Sequence, residues 1–345
     1  MPTSGNPSLA PHSMLLQLPN ELLGLVMRSS STPDLLSLCL TSRLMYGIAS
    51  RALYRIVCIS NEGQLGLFIE SVKSGLTYSQ LSPFPLYLKA FIIQKHHLKL
   101  SEKLSPALDS LLPEFHNLQH LDLVLSDGGA HFTHMLAHAN FPRLEVFRYC
   151  PQSENASFLA PFLNRHPTIA HIFLSDIHRD SLRHLDPVCL PNLRTYTGCR
   201  NYISALVGGC ESVRQLAVYD ISVYAIPALG ALPALHTVVL LSLLGVDVPP
   251  IVEAIATHAP HIRNLSFQRI KESAPYAGFS QDDVEQIARS LERFPDLAEL
   301  EFPAPEEDES VEIDTTQDPE TVKSWSQACR SLRSISLNGK CWLIK

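Results

Sequence analysis

Along most of the chain one arrangement of apolar positions returns: an anchor, two residues, a second apolar residue, one residue and a third. It is clearest at Leu118-x-x-Leu121-x-Leu123, Ile169-x-x-Ile172-x-Leu174, Val213-x-x-Leu216-x-Val218, Leu235-x-x-Val238-x-Leu240, Ile262-x-x-Leu265-x-Phe267, Leu297-x-x-Leu300-x-Phe302 and Leu332-x-x-Ile335-x-Leu337. Leu88, Leu144 and Leu193 begin weaker copies. The last two apolar residues of each copy are two apart, the alternation of a strand with one buried face, so they are expected in a core. Successive anchors from Leu88 lie 30, 26, 25, 24, 20, 22, 27, 35 and 35 residues apart. A proline stands two residues before the anchor at Pro142, Pro167, Pro191, Pro233, Pro260 and Pro295. Because Pro cannot donate to a ladder, this punctuation marks the loop leading into each strand. Between the strands the spacing turns helical, as at Leu65, Phe68, Ile69 and Val72, at Ile251 and Ile255 after Pro249-Pro250, and at Val284, Ile287, Ala288 and Leu291 behind a Ser280/Asp283 cap. Strand and helix alternate, and a unit this small cannot bury both its faces alone. Stacked units of an α/β fold are the expected result, with a parallel sheet inside and helices outside. A two-layer α/β domain of nonrepeating topology would show the same alternation.

The N-terminal part is different. Leu18, Leu22 and Val26 recur at the spacing of one helical face, with Leu23 and Met27 beside them. Pro19 suits a first helical position, and Glu21 complements the helix dipole. Thr32 before Pro33 predicts the cap and start of a second helix, and Ser42 caps a third containing Leu44, Ile48 and Ala52. Three short helices of roughly 40–45 residues are near the size at which a lone core becomes marginal, so leftover apolar side chains should find a partner.

Two family resemblances rest on these residues. Leu15 to Cys58 resembles an F-box: Leu18-Pro19-Asn20-Glu21-Leu22, Asp34-Leu35-Leu36-Ser37-Leu38, Cys39-Leu40-Thr41-Ser42-Arg43 and Ala52-Leu53-Tyr54-Arg55 recur at the family's usual spacing. The resemblance implies docking on the Skp-type adaptor of a cullin-based ubiquitin ligase. It places Leu18, Pro19, Leu22, Leu35, Leu36 and Leu40 against the adaptor, with Leu53 and Tyr54 joining the helices to the rest of the chain. The remainder resembles an irregular leucine-rich-repeat solenoid with a curved parallel sheet. It departs from the family's habit of placing Asn eight residues after the anchor, where only Asn201 fits. Together they resemble fungal-type F-box proteins with degenerate C-terminal leucine-rich repeats. The expected organisation is a disordered tail at 1–13, a helical domain at 14–58 and a solenoid at 59–345.

Charge and composition narrow the reading. Eight of the 34 acidic residues lie between Glu306 and Glu320, leaving 26 acidic against 27 basic, so the folded remainder is near neutral, with no basic stripe for phosphates or anionic lipid. Nucleic acid and membrane are not expected partners. The acidic run from Pro303 to Pro319 is expected to be a mobile loop, either a solubilising insertion, or a docking loop for a basic partner or a phosphorylation site at Ser310, Thr315 or Thr316. Ile221 to Val246 contains no Asp, Glu, Lys or Arg, but Pro227 and Pro233 argue against a membrane span. Eight cysteines without a Cys-x-x-Cys pair read as free thiols of a reducing compartment, the cytoplasm or nucleus, and Met1 to His12 does not read as a secretory signal.

Catalytic patterns are missing. There is no Gly-rich phosphate loop or Gly-x-Ser-x-Gly elbow, and His178-Arg179-Asp180 lacks the companions of a kinase loop. His131, His134 and His138 share helical spacing but have no thiolate or carboxylate co-ligand, and Cys150, Cys199 and Cys210 have no His-Asp arrangement beside them. No catalytic residue, metal or cofactor is expected. The sequence instead implies a substrate receptor holding the adaptor at one end and a protein target at the other. An F-box scaffold outside any ligase, and an unrecognised α/β enzyme, are the alternatives. If the repeated apolar pair points inward, strand alternation places His120, Asp122, Arg148, His171, Phe173 and Gln215 on the concave face. Tyr219, Asn264, Gln268, Glu299 and Glu301 join them there, and this face is the expected target site.

Overall fold

A computed structural model describes residues 18–77, 84–93, 104–124, 130–150, 156–174, 185–219, 221–241, 247–268, 279–303 and 315–344. The expected tail, the His178-Arg179-Asp180 triplet and residues 304–314 of the acidic run lie outside them. Three helices come first: α1 (Asn20–Ser29), α2 (Thr32–Cys39) and α3 (Arg43–Leu53). Their caps differ in detail from the sequence reading. Pro19 precedes α1, its carbonyl accepting from the Leu22 and Leu23 N–H groups, and Ser31 rather than Thr32 caps α2, its Oγ accepting from Asp34 N–H at 3.4 Å. Ser42 caps α3 as expected, accepting from Met45 N–H at 3.2 Å.

A twelve-stranded sheet comes next, every strand beside its sequence neighbours. Its strands are β1 (Ile56–Ile59), β2 (Ala90–Ile93), β3 (His120–Leu123), β4 (Val146–Tyr149), β5 (His171–Leu174), β6 (Thr195–Cys199), β7 (Gln215–Tyr219), β8 (Thr237–Leu241), β9 (Asn264–Gln268), β10 (Glu299–Glu301), β11 (Ser334–Leu337) and β12 (Lys340–Leu343). Between them run α4 (Glu62–Thr77), α5 (Leu104–Leu111), α6 (Ala130–His138), α7 (Leu159–Arg165), α8 (Ile203–Leu206), α9 (Val248–His258), α10 (Gln281–Leu291) and α11 (Asp318–Ala328). β1 to β11 pair in parallel, and the register aligns Leu121 with Phe147, Ile172, Tyr196, Leu216, Val238, Leu265, Leu300 and Ile335. Every residue of the repeated apolar pattern is buried, as the alternation requires. β1 lies across the boundary between the two regions, with Val57 and Ile59 already in register with Phe91 and Ile93.

The prolines have a defined place. At Pro142, Pro167, Pro191, Pro233 and Pro260 the anchor's N–H donates to the carbonyl of the residue three before it, at 3.0 to 3.3 Å, closing a turn with proline in its second position. The first residues of these turns, Phe141, His166, Leu190, Leu232 and Ala259, form a further buried column, which Cys210 and Cys329 continue. The Cys210 thiol, desolvated there, is pushed up to about 11 and stays protonated, donating to Val188 O at 3.7 Å. His166 is fully buried in the same column. Its Nδ1 lies 2.7 Å from Phe162 O and its Nε2 accepts from Phe141 N–H at 2.8 Å, so the neutral Nδ1–H tautomer satisfies both atoms.

Three departures have local causes. The Leu193 copy is weak because Gly198 occupies the inward site taken by Leu174 and Val218 next door, and a Cβ there would lie 2.6 Å from Leu174 O and 2.5 Å from the Tyr196 hydroxyl. The Tyr196 ring fills the layer instead and donates to Cys199 O at 2.9 Å. The last strand is not parallel: Asn338 (φ 51°) and Gly339 (φ 76°) adopt left-handed conformations that turn the chain back, so β12 pairs antiparallel to β11. Lastly, the end of the acidic run is structured. Asp318 and Pro319 begin α11, and the buried Asp318 accepts from Asn338 Nδ2 at 3.0 Å.

Two measurements of stability test this packing. Restoring the repeat pattern with Gly198→Leu should destabilise by about 1–3 kcal/mol, the usual cost of overpacking, and a lower denaturation midpoint measures it. His166 has its pKa lowered from 6.5 chiefly by burial, so below that value the unfolded chain takes up a proton that the folded one resists. Its contribution to stability is complete above pH 6.5 and falls as the pH drops towards the folded value. The slope of unfolding free energy against pH between about 7 and 5 should flatten in His166→Gln.

Candidate functional site

Two surfaces stand out. On the helical cap, Leu23, Met27, Leu35, Met45 and Ala49 form a small core of their own, separate from the solenoid's. Its size limits what it can cover. Leu18, Leu22 and Val26 form an outward stripe on and before α1, with Leu25 beside them at 57% exposure, while α2 and its end present Leu36 at 55% and Leu40 at 89%. Pro19 is exposed at the head of the stripe. Of the six residues expected to face an adaptor, five are therefore on the surface. Leu35 is the correction: 100° of helical rotation separates it from Leu36, and it turns into the cap core. Leu25, absent from the expected set, was legible as the residue three after Leu22. Leu53 packs against the cap core, while the Tyr54 side chain, just after α3, bonds Ser71 of α4.

The second surface is the sheet face opposite the buried pairs. Asp122, Arg148 and Phe173 share one row on β3, β4 and β5. Arg148 bonds Asp122 at 3.3 Å, its guanidinium lies 4.6 Å from the Phe173 ring centre, and Phe173 meets Tyr219 edge-to-face with centroids 6.3 Å apart. Asp122 is buried beneath this ladder, so it orients Arg148 rather than offering itself to a partner. Burial pushes the Tyr219 phenol up and, on β3, the His120 imidazole down, and both stay neutral near pH 7. His120 Nε2 is buried without a hydrogen-bond partner among the described residues. His171 Nδ1 lies 2.6 Å from Thr195 Oγ1, and Gln215 is exposed on the same row.

A second group gathers on β9 and β10. Asn264 bonds the Glu299 carboxylate, Ser266 donates to Glu301 at 2.6 Å and Gln268 donates to Ser266 at 3.3 Å. The two groups are separated by the smaller or apolar Thr197, Ala217 and Val239 of the same row. These three and Ser266 were not among the expected target residues, although the same alternation rule locates them.

Just before the strands lies a third feature. The residues whose backbones bond one another at the sheet's leading edge include Arg55, Lys89, Arg194, Arg214, Arg263 and Arg333, with His236 among them. The charge total predicted no basic stripe, yet the repeat brings these cations into one row from positions far apart in sequence.

The fold is a helical cap with exposed apolar side chains, followed by a repeat solenoid. The F-box-like family model matches residues 15–60, so the cap is an F-box-like domain, of a kind that generally binds Skp-type adaptors. The remainder, a long mostly parallel sheet with helices, resembles a leucine-rich-repeat solenoid. Among solved structures the chain is similar to the leucine-rich repeat-containing protein LegL7 from Legionella pneumophila, at 13% identity over 79% of this chain and 88% of that one, with a TM-score of 0.41. No curated protein matches the chain. Among the described residues no helix is long and apolar enough to cross a membrane, and Ile221 to Val246 contributes a 3-10 segment (Val223–Ala231) and β8.

Proposed function

We propose that the protein is the non-catalytic substrate-recognition subunit of an SCF-type ubiquitin ligase. The F-box-like domain holds a Skp-type adaptor and, through it, a cullin; the open sheet face holds a protein target. The observation that carries the reading is the row of uncovered leucines on the cap. Burying one such side chain is worth about 1.5–3 kcal/mol, so a handful supports a stable interface. No covalent step is asked of this chain. Holding a target beside a separate conjugating enzyme raises the target's effective concentration, and that suffices to direct modification. Its eight free cysteines fit a reducing compartment, the cytoplasm or nucleus.

Leu22→Ala with Leu36→Ala removes two exposed side chains without touching either core. A Skp-type adaptor should then bind at least tenfold more weakly, about 1.4 kcal/mol or more, with an unchanged circular dichroism spectrum. Equal affinity in the double variant overturns adaptor docking through this face. Adaptor binding that never yields target ubiquitination in a reconstituted cullin complex would leave an F-box scaffold outside any ligase.

For the target, Arg148, Phe173 and Tyr219 form the adaptable part of the open face, combining a cation, an aromatic ring and a phenol donor. Exchanging all three for Ala should remove at least one co-purifying target while adaptor binding persists. Retention of every target by that variant, and their loss on deleting residues 304–314, would move recognition to the acidic run.

A further inference from the structure

The cap and the solenoid meet across an open cleft of about 610 Å³, lined on the cap side by Arg28, Arg43 and Arg51 and on the sheet side by Arg55, Lys89 and Arg143, with Glu21 as its only carboxylate. A second hollow of about 510 Å³ continues it along the leading edge of the sheet, sharing Gln119 and Arg143 and adding Glu145 and Arg194. Seven cations thus face two carboxylates along one trough, in a chain whose net charge is −7. Beyond Arg194 the row runs on through Arg214, His236 and Arg263 on the next three repeats. No cation of this trough or row forms an ion pair with another described residue; Arg51 instead lies over the Tyr87 ring, 4.9 Å from its centre.

We propose that this trough binds an extended, Asp- and Glu-rich segment of a partner protein, laid across the strands with its apolar end against the cap. Opposite charge focused in a trough raises both encounter rate and specificity. The cap end is amphipathic, because the exposed Leu44 and Leu86 line it beside the arginines and would take an apolar side chain. Dimensions agree. The row from Arg55 to Arg263 crosses eight strand spacings, about 38 Å at 4.8 Å each, and about twelve extended residues cover that length. Nucleic acid suits the surface less well. Along the edge row no Phe, Tyr or Trp offers a stacking platform, the Tyr87 ring in the cleft already carries Arg51, and Glu145 interrupts the positive run where a continuous polyphosphate would need it whole. The surface is distinct from the apolar face of the cap and from the Arg148–Phe173–Tyr219 ladder, so this inference does not depend on the ligase reading.

The probe is a fluorescein-labelled peptide of about twelve residues, mostly Asp and Glu with one terminal Leu, titrated by anisotropy into the full-length chain. Saturable binding is expected, weakening steeply as salt rises. Arg143→Glu with Arg194→Glu, both exposed, should weaken it at least tenfold, while Arg289→Glu on the outer face of α10 should leave it unchanged. Several outcomes overturn the proposal: no binding, equal loss in the Arg289 control, or undiminished binding in the double variant. So does tighter binding of a labelled single-stranded oligonucleotide, or binding only when the peptide carries phosphoserine. Matching circular dichroism spectra for the variants separate lost binding from lost folding.

Discussion

Every feature of the solenoid depends on one constraint: the parallel backbone ladder that holds each of β1 to β11 beside its sequence neighbour at a fixed register. Such a ladder copies a position in one repeat onto the equivalent position of the next, about 4.8 Å away. Side chains tens of residues apart in sequence therefore become members of a column. The inward columns form a continuous core no single unit could build, the outward rows form an open sheet face, and the residue before each strand forms an edge. A substitution in one repeat is felt by its two neighbours and little beyond them.

The ladder also decides which features were legible in the sequence. The anchor and the two strand positions are apolar in almost every copy, so hydrophobic alternation found them. The buried column three residues before the anchor escaped because it is chemically mixed: Phe141, His166, Leu190, Cys210, Leu232, Ala259 and Cys329 share a position but no residue type. Their common feature is a carbonyl closing the turn, and that is a backbone property. Residue pattern alone also made the Leu193 copy look defective, although Tyr196 and Gly198 compensate one another across the layer. The antiparallel end was legible in Asn338-Gly339, the strongest short hairpin signal, but the expectation of a uniform repeat concealed it.

Charge shows the same effect in reverse. A near-balanced total argued against a basic stripe, and as a total it was right. The fold sorts that total by position, sending Glu299 and Glu301 to the open face and Arg194, Arg214 and Arg263 to the edge. Composition constrains the long-range field of a protein; only register decides where that field is concentrated. In the cap the ambiguity was rotational. Leu35 and Leu36 are adjacent, one must face the core and the other solvent, and the choice is made by how α2 packs on α3.

The surfaces differ in the physics of binding, so the two proposed partners would respond differently to ionic strength. Apolar burial on the cap changes little with ionic strength, whereas attraction in the open basic trough is screened over about 8 Å at physiological salt. Between them stands the junction, where β1 begins the ladder directly after α3 and Tyr54 bonds to α4. A segment lying in the trough would touch cap and solenoid at once through Arg43, Leu44 and Lys89. Its binding energy would then favour whichever arrangement of the two parts keeps all three in reach. In the receptor role proposed above, the angle between cap and solenoid would decide where a target's lysines are presented, and an occupant of this cleft would bias that angle without taking part in any chemistry.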